Sequence, residues 1–406
     1  MFEALRYRNF RLLWIGVGVS FAGSFMQQAA LLWHVSLLVP DHKGLALGLV
    51  GLARVVPIVV FSLLSGAAAD VFDRRKLMYV TNIGGAAVAL TLAVLAFSGL
   101  RVAWPIYLLA AAGASVGAFD PPARHSLVPM LVPREHLPNA ISLNTVIVQA
   151  ASVTGPALGG AIIAIGNVGW AYAIDAASFL FVVGSLVLMR DVPATDRTHA
   201  SARDTISLAA IRDGIHFVFS RPIIRSTMLL DFFATFFSSA TALLPIFAQD
   251  VLQVGPKGYG WLYAAPAIGA VLASALMVPV SHRLHRRGPT LIWAVAMYGV
   301  ATAVFGISRS FWITLGCLAF AGASDAVSMI IRNLVRQLET PDAMRGRMVG
   351  INMIFFMGGP QLGELEAGLV ANSFGAPWSV VTGGLGCLIA TGIIVAITPE
   401  LRAYRK

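Results

Sequence analysis

Three carboxylates, Asp231, Asp325 and Glu364, lie inside apolar stretches of the chain. An ionisable side chain at the centre of a bilayer costs about 2.5–3.5 kcal/mol on insertion scales, so each is a candidate for work that needs a charge. The chemistry open to such a group is reversible protonation: burial favours the neutral acid, and an approaching cation or water favours release of the proton. Glu364 shares a helical face with Gln361, and Asn352 precedes it on the same helix. Glu366 is turned about 200° away and is expected to bond a neighbouring helix instead. Asp231 is followed at i+4 and i+7 by Thr235 and Ser238, and Asp325 by Ser328 and Arg332, so each acid opens a polar stripe on an otherwise apolar helix. For both aspartates, pairing with a nearby arginine such as Arg225 or Arg332 competes with proton binding, more strongly at the shallow Asp231, while the deeper Asp325 ranks with Glu364.

Arg54 is the one cation expected well inside a span, where it would meet an acidic group of a bound molecule or pair with an acid. Asp175 is a further acid within a span, and His34 is expected near a span's end, in contact with water. Uncharged side chains that would line a path are Gln27, Asn144, Gln149, Asn352 and Gln361. Phe232, Phe233, Phe236 and Phe237, with Met353, Phe355, Phe356 and Met357, offer either an adaptable apolar contact surface or lipid-facing packing. No Ser/His, Asp/Asp or His-rich constellation recurs at catalytic spacing, so an enzyme is not expected. No G-x-x-x-x-G-K-[ST] loop is present to cradle nucleotide phosphates. Cys317 and Cys387 stand in apolar runs as small buried side chains, and neither a metal, a cofactor nor a disulfide is expected.

Membrane helices have to position these residues. The chain has 406 residues, 57% hydrophobic and 12% charged, with a mean hydropathy of +0.78, far from the balance of a soluble domain. A span needs about 20 apolar residues. Twelve stretches qualify, at roughly 11–38, 45–70, 76–98, 102–123, 138–165, 168–190, 224–250, 258–281, 289–308, 311–333, 346–372 and 376–398. A net charge of +10 first suggests nucleic acid, but all except five of the 29 Lys and Arg fall in the termini or in loops after even-numbered spans. Lys43, Arg101, Lys257 and Arg309 lie on the other side, and Arg54 lies within a span. The positive-inside rule then places both termini in the cytoplasm of a multi-pass protein of the plasma (inner) membrane, with the lipid bilayer and not nucleic acid as its partner. Arg6 to Arg11 leads into a span longer than a signal h-region, so the first helix is expected to be retained.

Residues 124 to 160 recur at 332 to 368 with a constant offset of 208: Arg124 answers Arg332, Asn144 answers Asn352, Gly155 answers Gly363 and Gly160 answers Gly368. A second match, Gly48 with Arg74-Arg75 against Gly260 with Arg286-Arg287, has an offset of 212. Both copies end in a basic loop after an apolar span, so the repeat is parallel, a pattern of secondary transporters. It predicts a six-helix bundle over 1–190, a linker over 191–221 and a second six-helix bundle over 222–406. Within the linker, Leu208, Ile211, Ile215 and Val218 recur at helical spacing and predict an amphipathic helix at the cytoplasmic interface.

Gly66-Ala-Ala-Ala-Asp70-Val-Phe-Asp73-Arg74-Arg75 closes the second span and opens the third, and resembles the loop 2–3 motif of the major facilitator superfamily. The resemblance implies close helix approach at Gly66 and a charge latch, made by Asp70 with Arg74 and Arg75, that holds one of two states. Asp73-Arg74-Arg75, together with Phe119-Asp120-Pro121-Pro122-Ala123-Arg124 and Val132-Pro133-Arg134-Glu135, is similar to the enterobactin-exporter branch. Asp120 and Arg124 are spaced to pair along one helix. Gly155-Pro156-Ala157-Leu158-Gly159-Gly160 resembles the motif of antiporters of this superfamily, where glycines permit close contact and proline a bend.

The resemblance covers nearly the whole chain and implies an all-α membrane protein of twelve helices in the major facilitator fold, exporting an amphiphilic siderophore- or drug-like molecule in exchange for protons by alternating access, as a monomer. An uptake permease of the same fold and a non-transporting receptor or assembly protein are the competing expectations.

Overall fold

The computed structural model describes residues 3–190, 208–280, 285–341 and 344–405, and among them no strand occurs. In chain order the helices are α1 (Arg8–Leu38), α2 (Lys43–Val71), α3 (Arg74–Phe97), α4 (Trp104–Gly117), α5 (Asp120–Leu131), α6 (Leu137–Ile165) and α7 (Val168–Leu188). They continue as α8 (Leu208–Ser220), α9 (Pro222–Phe237), α10 (Gly255–Val280), α11 (Arg287–Ile307), α12 (Phe311–Glu339), α13 (Arg345–Phe374), α14 (Ala376–Ile397) and a short α15 (Pro399–Ala403). Among the described residues ten segments are long and apolar enough to cross a membrane. The α4–α5 pair and the 30-residue α13 make the two remaining passages that the sequence predicts.

Local chemistry sets where these helices start and stop. Proline occupies the first or second position of α4, α5, α6, α9 and α14, where its missing N–H has no helical partner to lose. Asp73 caps α3 by accepting from the Lys76 backbone N–H at 2.9 Å. Gly375, with φ of 87°, turns the chain between α13 and α14.

Two passages are not the continuous helices the sequence predicts. Pro121 and Pro122 follow Asp120 directly and have no N–H to donate to the preceding turn, so the hydrogen-bond ladder of α4 is interrupted and α4 and α5 part at Ala118–Phe119, which keep near-helical backbone angles. The seventh passage breaks at Ser238–Ser239 and resumes over 240–251, ending in a π turn at Phe247–Val251. There the Ser239 hydroxyl donates to the Pro360 carbonyl at 2.9 Å and the Tyr298 hydroxyl to the Ser238 carbonyl at 3.4 Å.

Large apolar side chains on the outer faces identify the solvent of this fold. Leu276, Ile389, Ile397 and Ile165 are among many that stand more than half exposed, as lipid contact requires and water would not tolerate. Trp104, Trp170, Trp312 and Trp378 lie in the first turns of four helices that begin after loops on the less basic side, and all are more than half exposed, like an interfacial aromatic belt.

The chain divides into two compact units. One comprises Met1–Pro40, Val56–Ala202 and Gly255–Ala264; its framework is α1 packed on α6 and α7, and α3 on α7. The other comprises Asp41–Val55, Arg203–Val254 and Ala265–Lys406, with α11 packed on α12 and α14, and α9 on α13. The pair α3–α7 and its repeat equivalent α11–α14 are each among the most extensive contacts of their unit. Helix α8 lies where the linker pattern predicts one; Val218 and Phe217 pack with Ile224, Met228, Met348 and Ile351, while Ile215 and Phe219 remain exposed. The side chains of Leu208 and Ile211 lie outside the described residues.

Candidate functional site

In the second unit, α9, α12 and α13 converge on four charges. Asp231 of α9 is 2% exposed, with Oδ1 3.1 Å from Arg332 Nη2 and Oδ2 3.1 Å from Arg336 Nη2. Arg332 Nη2 also lies 3.2 Å from Asp325 Oδ1 on its own helix. Arg336 gives Nε to the Thr227 hydroxyl at 3.3 Å, Nη2 to the Thr227 carbonyl at 2.9 Å and Nη1 to Asn352 Oδ1. Two carboxylates facing two guanidiniums leave the cluster neutral. Asp231 and Asp325 therefore take the arginine-paired arrangement, and Asn352 is tied to Arg336 rather than aimed along a path. The two arginines the sequence reads as loop cations are buried in α12, each 2% exposed, because the helix runs on past its apolar stretch to Glu339.

Glu364 has different surroundings. The offset of 208 places it opposite Pro156, so the repeat is broken at this position by a carboxylate. Its partner helix is the opening of α2: a Cβ built on Gly51 would come 2.7 Å from the Gln361 carbonyl and 2.9 Å from Glu364 Oε2. Oε2 is buried without a hydrogen-bond partner, as is Oε1 of the Gln361 side chain. Arg54, one turn along α2 from Gly51, is near enough for its charge to act on Glu364. The structure thus brings together three of the sequence candidates, Arg54, Gln361 and Glu364, and holds Asp231, Asp325 and Asn352 in a separate network.

In the first unit the motif residues spread over several helices. Arg74 Nη1 donates to the Ser126 carbonyl of α5 at 3.2 Å, and Arg75 Nη2 donates to the Leu186 carbonyl and, at 3.4 Å, to that of Met189, at the end of α7. A guanidinium at a helix C-terminus meets the negative end of the helix dipole. Asp120 and Arg124 pair at 3.2 Å as their spacing predicts, with Asn82 Nδ2 3.3 Å from Asp120 Oδ1 and the Arg124 guanidinium 4.7 Å over the Phe21 ring. The surroundings of Gly66 and the side chain of Asp70 lie outside the described residues, although both positions are helical in α2.

The glycines of α6 serve close contacts. A Cβ on Gly155 would stand 2.5 Å from the Ala22 carbonyl of α1, and one on Gly159 would stand 2.9 Å from Met26. Gly160 faces α10, where a Cβ would stand 2.4 Å from the Pro256 carbonyl and 2.8 Å from the Gly260 Cα. Pro156 lies inside α6 without ending it, and its carbonyl would be 2.6 Å from a Cβ on Gly260. Of the remaining path candidates, Gln27 buries an unpartnered Oε1, Asn144 and Gln149 are half-buried, and the Gln149 carbonyl accepts from Ser152.

His34 is not the solvated residue its position predicts. It is 6% exposed, with Nδ1 3.3 Å from the hydroxyl of Tyr172, itself fully buried. On α7, one turn beyond Tyr172, Asp175 is fully buried as well and is met by Ser24 and Ser178.

The chain matches the family described as "Transmembrane secretion effector" over residues 1–405. It is 27% identical to the enterobactin exporter EntS of Escherichia coli O1:K1 over 367 residues, covering 89% of this chain and 85% of that protein. EntS of Shigella boydii serotype 4 is also 27% identical, over 383 residues, with 93% and 88% coverage. Among solved structures, a bacterial homolog of the human lysosomal transporter Spinster superposes with a TM-score of 0.75 at 15% identity, covering 98% of both chains.

Proposed function

Because the chain belongs to the transmembrane secretion effector family of major facilitator transporters, a multi-pass secondary transporter and not an enzyme, we propose that it exports an amphiphilic small molecule, siderophore- or drug-like, in exchange for protons. The observation that carries the proton is Glu364, a membrane carboxylate with one buried oxygen lacking a hydrogen-bond partner and Arg54 on the adjoining helix. A charge so placed costs several kcal/mol unless it is neutralised, and either a proton or the movement of Arg54 toward it does that. Protonation of Glu364 on one side of the membrane and release on the other would then bias which side the site opens to.

The similarity to enterobactin exporters supports the direction and the substrate class. The phenylalanines of α9, where Phe232, Phe233, Phe236 and Phe237 stack or meet edge to face within 6.1 Å, suit an aromatic ligand. In this reading both termini are cytoplasmic, the transporter works as a monomer, Asp70, Arg74 and Arg75 latch one state, and Gly155 to Gly160 let α6 shift and bend against its neighbours. Asp231 and Asp325, held by Arg332 and Arg336, serve the fold before they serve coupling.

The test is efflux of catecholate siderophores, dyes and antibiotics from cells expressing the protein, with and without a protonophore, beside Glu364→Gln. The expected result is protonophore-sensitive efflux that Glu364→Gln abolishes while the protein remains folded in the membrane. Proton-driven accumulation inside the cell, or no flux of any compound, overturns the proposal.

A further inference from the structure

The seam between α1 and α7 is built around a carboxyl group, that of Asp175, which nothing in the repeat or the motifs requires. Asp175 is fully buried; Oδ1 lies 3.1 Å from the Ser178 hydroxyl, which also reaches the Asp175 carbonyl at 2.7 Å, and 3.4 Å from that of Ser24, and Oδ2 is buried with no hydrogen-bond partner. Gly23 faces it from α1, and a Cβ there would stand 2.6 Å from Oδ1 and 2.3 Å from the Ser178 hydroxyl, so the helices close on one another only because this notch is empty. No cation among the described residues comes within ion-pair distance. Asp231, as deeply buried, has two guanidiniums to hold it. A charge at this depth without an ion-pair partner is costly, and a bound proton removes that cost.

We infer that Asp175, seated between Ser24 and Ser178 in the α1–α7 seam, is a second proton-binding carboxylate of the transport cycle, separate from Glu364. The inference rests on the proton-coupled reading above and names where a proton is held in the first unit. The carboxylate takes up one proton to become the acid and returns it to water when α1 and α7 loosen, so no other co-reactant is consumed. Every helix packed on α7 agrees with this assignment. Helix α1 presents His34 and, at its opposite end, Arg8 and Arg11; α3 carries Arg74, Arg75, Lys76 and Tyr79 in its first two turns; α6 has no ionisable side chain from Leu137 to Ile165. The polar groups that continue the seam are Tyr172, one turn away on α7, and His34 on its hydroxyl at 3.3 Å.

Infrared spectroscopy of the purified full-length protein in lipid nanodiscs tests this without knowing the substrate. The expected result is a carboxylic-acid C=O band that is missing from Asp175→Asn, moves in frequency in Ser178→Ala, and disappears reversibly as the pH is raised while the protein stays folded. If Asp175→Asn does not fold, the Ser178→Ala shift identifies the band in its place. A band that neither variant alters, or one that persists until the protein unfolds, overturns the inference, since the acid would then be ionised or locked. The two proposals fail separately: wild-type flux indifferent to a proton gradient removes the coupled function and with it the role of Asp175 in transport, whereas proton-driven flux unchanged in Asp175→Asn removes Asp175 alone.

Discussion

Gly48 of α2 and Gly368 of α13 cross so closely that a Cβ on Gly368 would stand 2.7 Å from the Gly48 Cα and 2.5 Å from the Gly44 carbonyl. The repeat makes the same contact again. Gly260 answers Gly48 and Gly160 answers Gly368, and a Cβ on Gly160 would stand 2.8 Å from the Gly260 Cα and 2.4 Å from the carbonyl of Pro256, which answers Gly44. Duplication has preserved a backbone-to-backbone crossing, the kind of approach that only glycine permits and that lets helices slide without interlocked side chains.

The two sides of the Gly48–Gly368 crossing differ in tolerance, whereas at the Gly160–Gly260 crossing a Cβ on either side comes within 2.6 Å of a backbone carbonyl. The Cβ of Gly48→Ala would meet backbone atoms at 3.1 and 3.2 Å, which a shift of a few tenths of an ångström relieves, whereas those of Gly368→Ala and Gly160→Ala would come within 2.5 and 2.4 Å of backbone carbonyls. Overpacking of this kind costs about 1–3 kcal/mol. Gly368→Ala and Gly160→Ala are expected to shift the conformational equilibrium away from the crossed arrangement by about ten- to a hundredfold, and Gly48→Ala by much less. Labelling of single cysteines placed beside each crossing, in a background lacking Cys317 and Cys387, measures the shift; equal effects at Gly48 and Gly368 would contradict the asymmetry.

Arg336 is expected to be the most sensitive position of the second unit. Its removal leaves the Asp231 carboxylate, the Thr227 carbonyl and Asn352 short of a donor in the interior. Breaking a buried pair from one side typically costs about 3–5 kcal/mol, while replacing both members by apolar groups of similar volume is often close to neutral. Thermal unfolding in detergent should therefore show Arg336→Met strongly destabilised and the double variant Arg336→Met with Asp231→Leu partly restored. A double variant no more stable than the single one would mean that the network does more than satisfy its own charges.

What the sequence made legible follows contact distance along the chain. Asp120 and Arg124 could be paired in advance because i,i+4 neighbours meet on any helix, and Gly155 to Gly160 were conspicuous because the repeat writes part of them twice. Arg336 was not legible: its carboxylate partner is 105 residues away and Thr227 109 away, and neither separation carries a signal in one sequence. His34 was misjudged because position along a span says nothing about which face of the helix meets a neighbour; Tyr172 covers it. The passages that broke, at Pro121–Pro122 and at Ser238–Ser239, had their causes in view, but hydropathy averages over such residues and reads straight through them.

Lys43 and Asp250 provide a contrast to the buried network. The ammonium lies 2.8 Å from the carboxylate and 3.0 Å from Gln249 Oε1, but the Asp250 side chain is 49% exposed. Exposed pairs are worth about 0.2–1 kcal/mol and are screened by salt. A double-mutant cycle of Lys43→Ala and Asp250→Ala is expected to give a coupling under about 1 kcal/mol that fades in high salt. A larger, salt-insensitive coupling would show that the pair is closed off from water in the working membrane.

Tyr404 ties the end of the chain to the body of the second unit, and its titration gives that tie a pH limit. Its hydroxyl donates to Glu339 Oε1 at 2.8 Å, its carbonyl accepts from the Gly288 N–H at 3.1 Å, and the ring is 6% exposed. Burial, and after it the bond to Glu339, pushes the phenol up to about 12. A group whose protonated form is favoured by the fold contributes its full stability below its unfolded value of about 10 and loses that contribution as the pH rises through the folded one. Tyr404→Phe should therefore lower stability at neutral pH by about 1.5–3 kcal/mol, the range for a hydrogen bond to a charged group, with no change in that gap across the physiological range. Above about pH 10 the gap should narrow, because the wild type is then losing what the variant never had. Unfolding midpoints of the two proteins measured from neutral to strongly alkaline pH test this; a gap that stays constant throughout would mean that the phenol does not titrate within the folded state and that Glu339 is not its acceptor in the membrane.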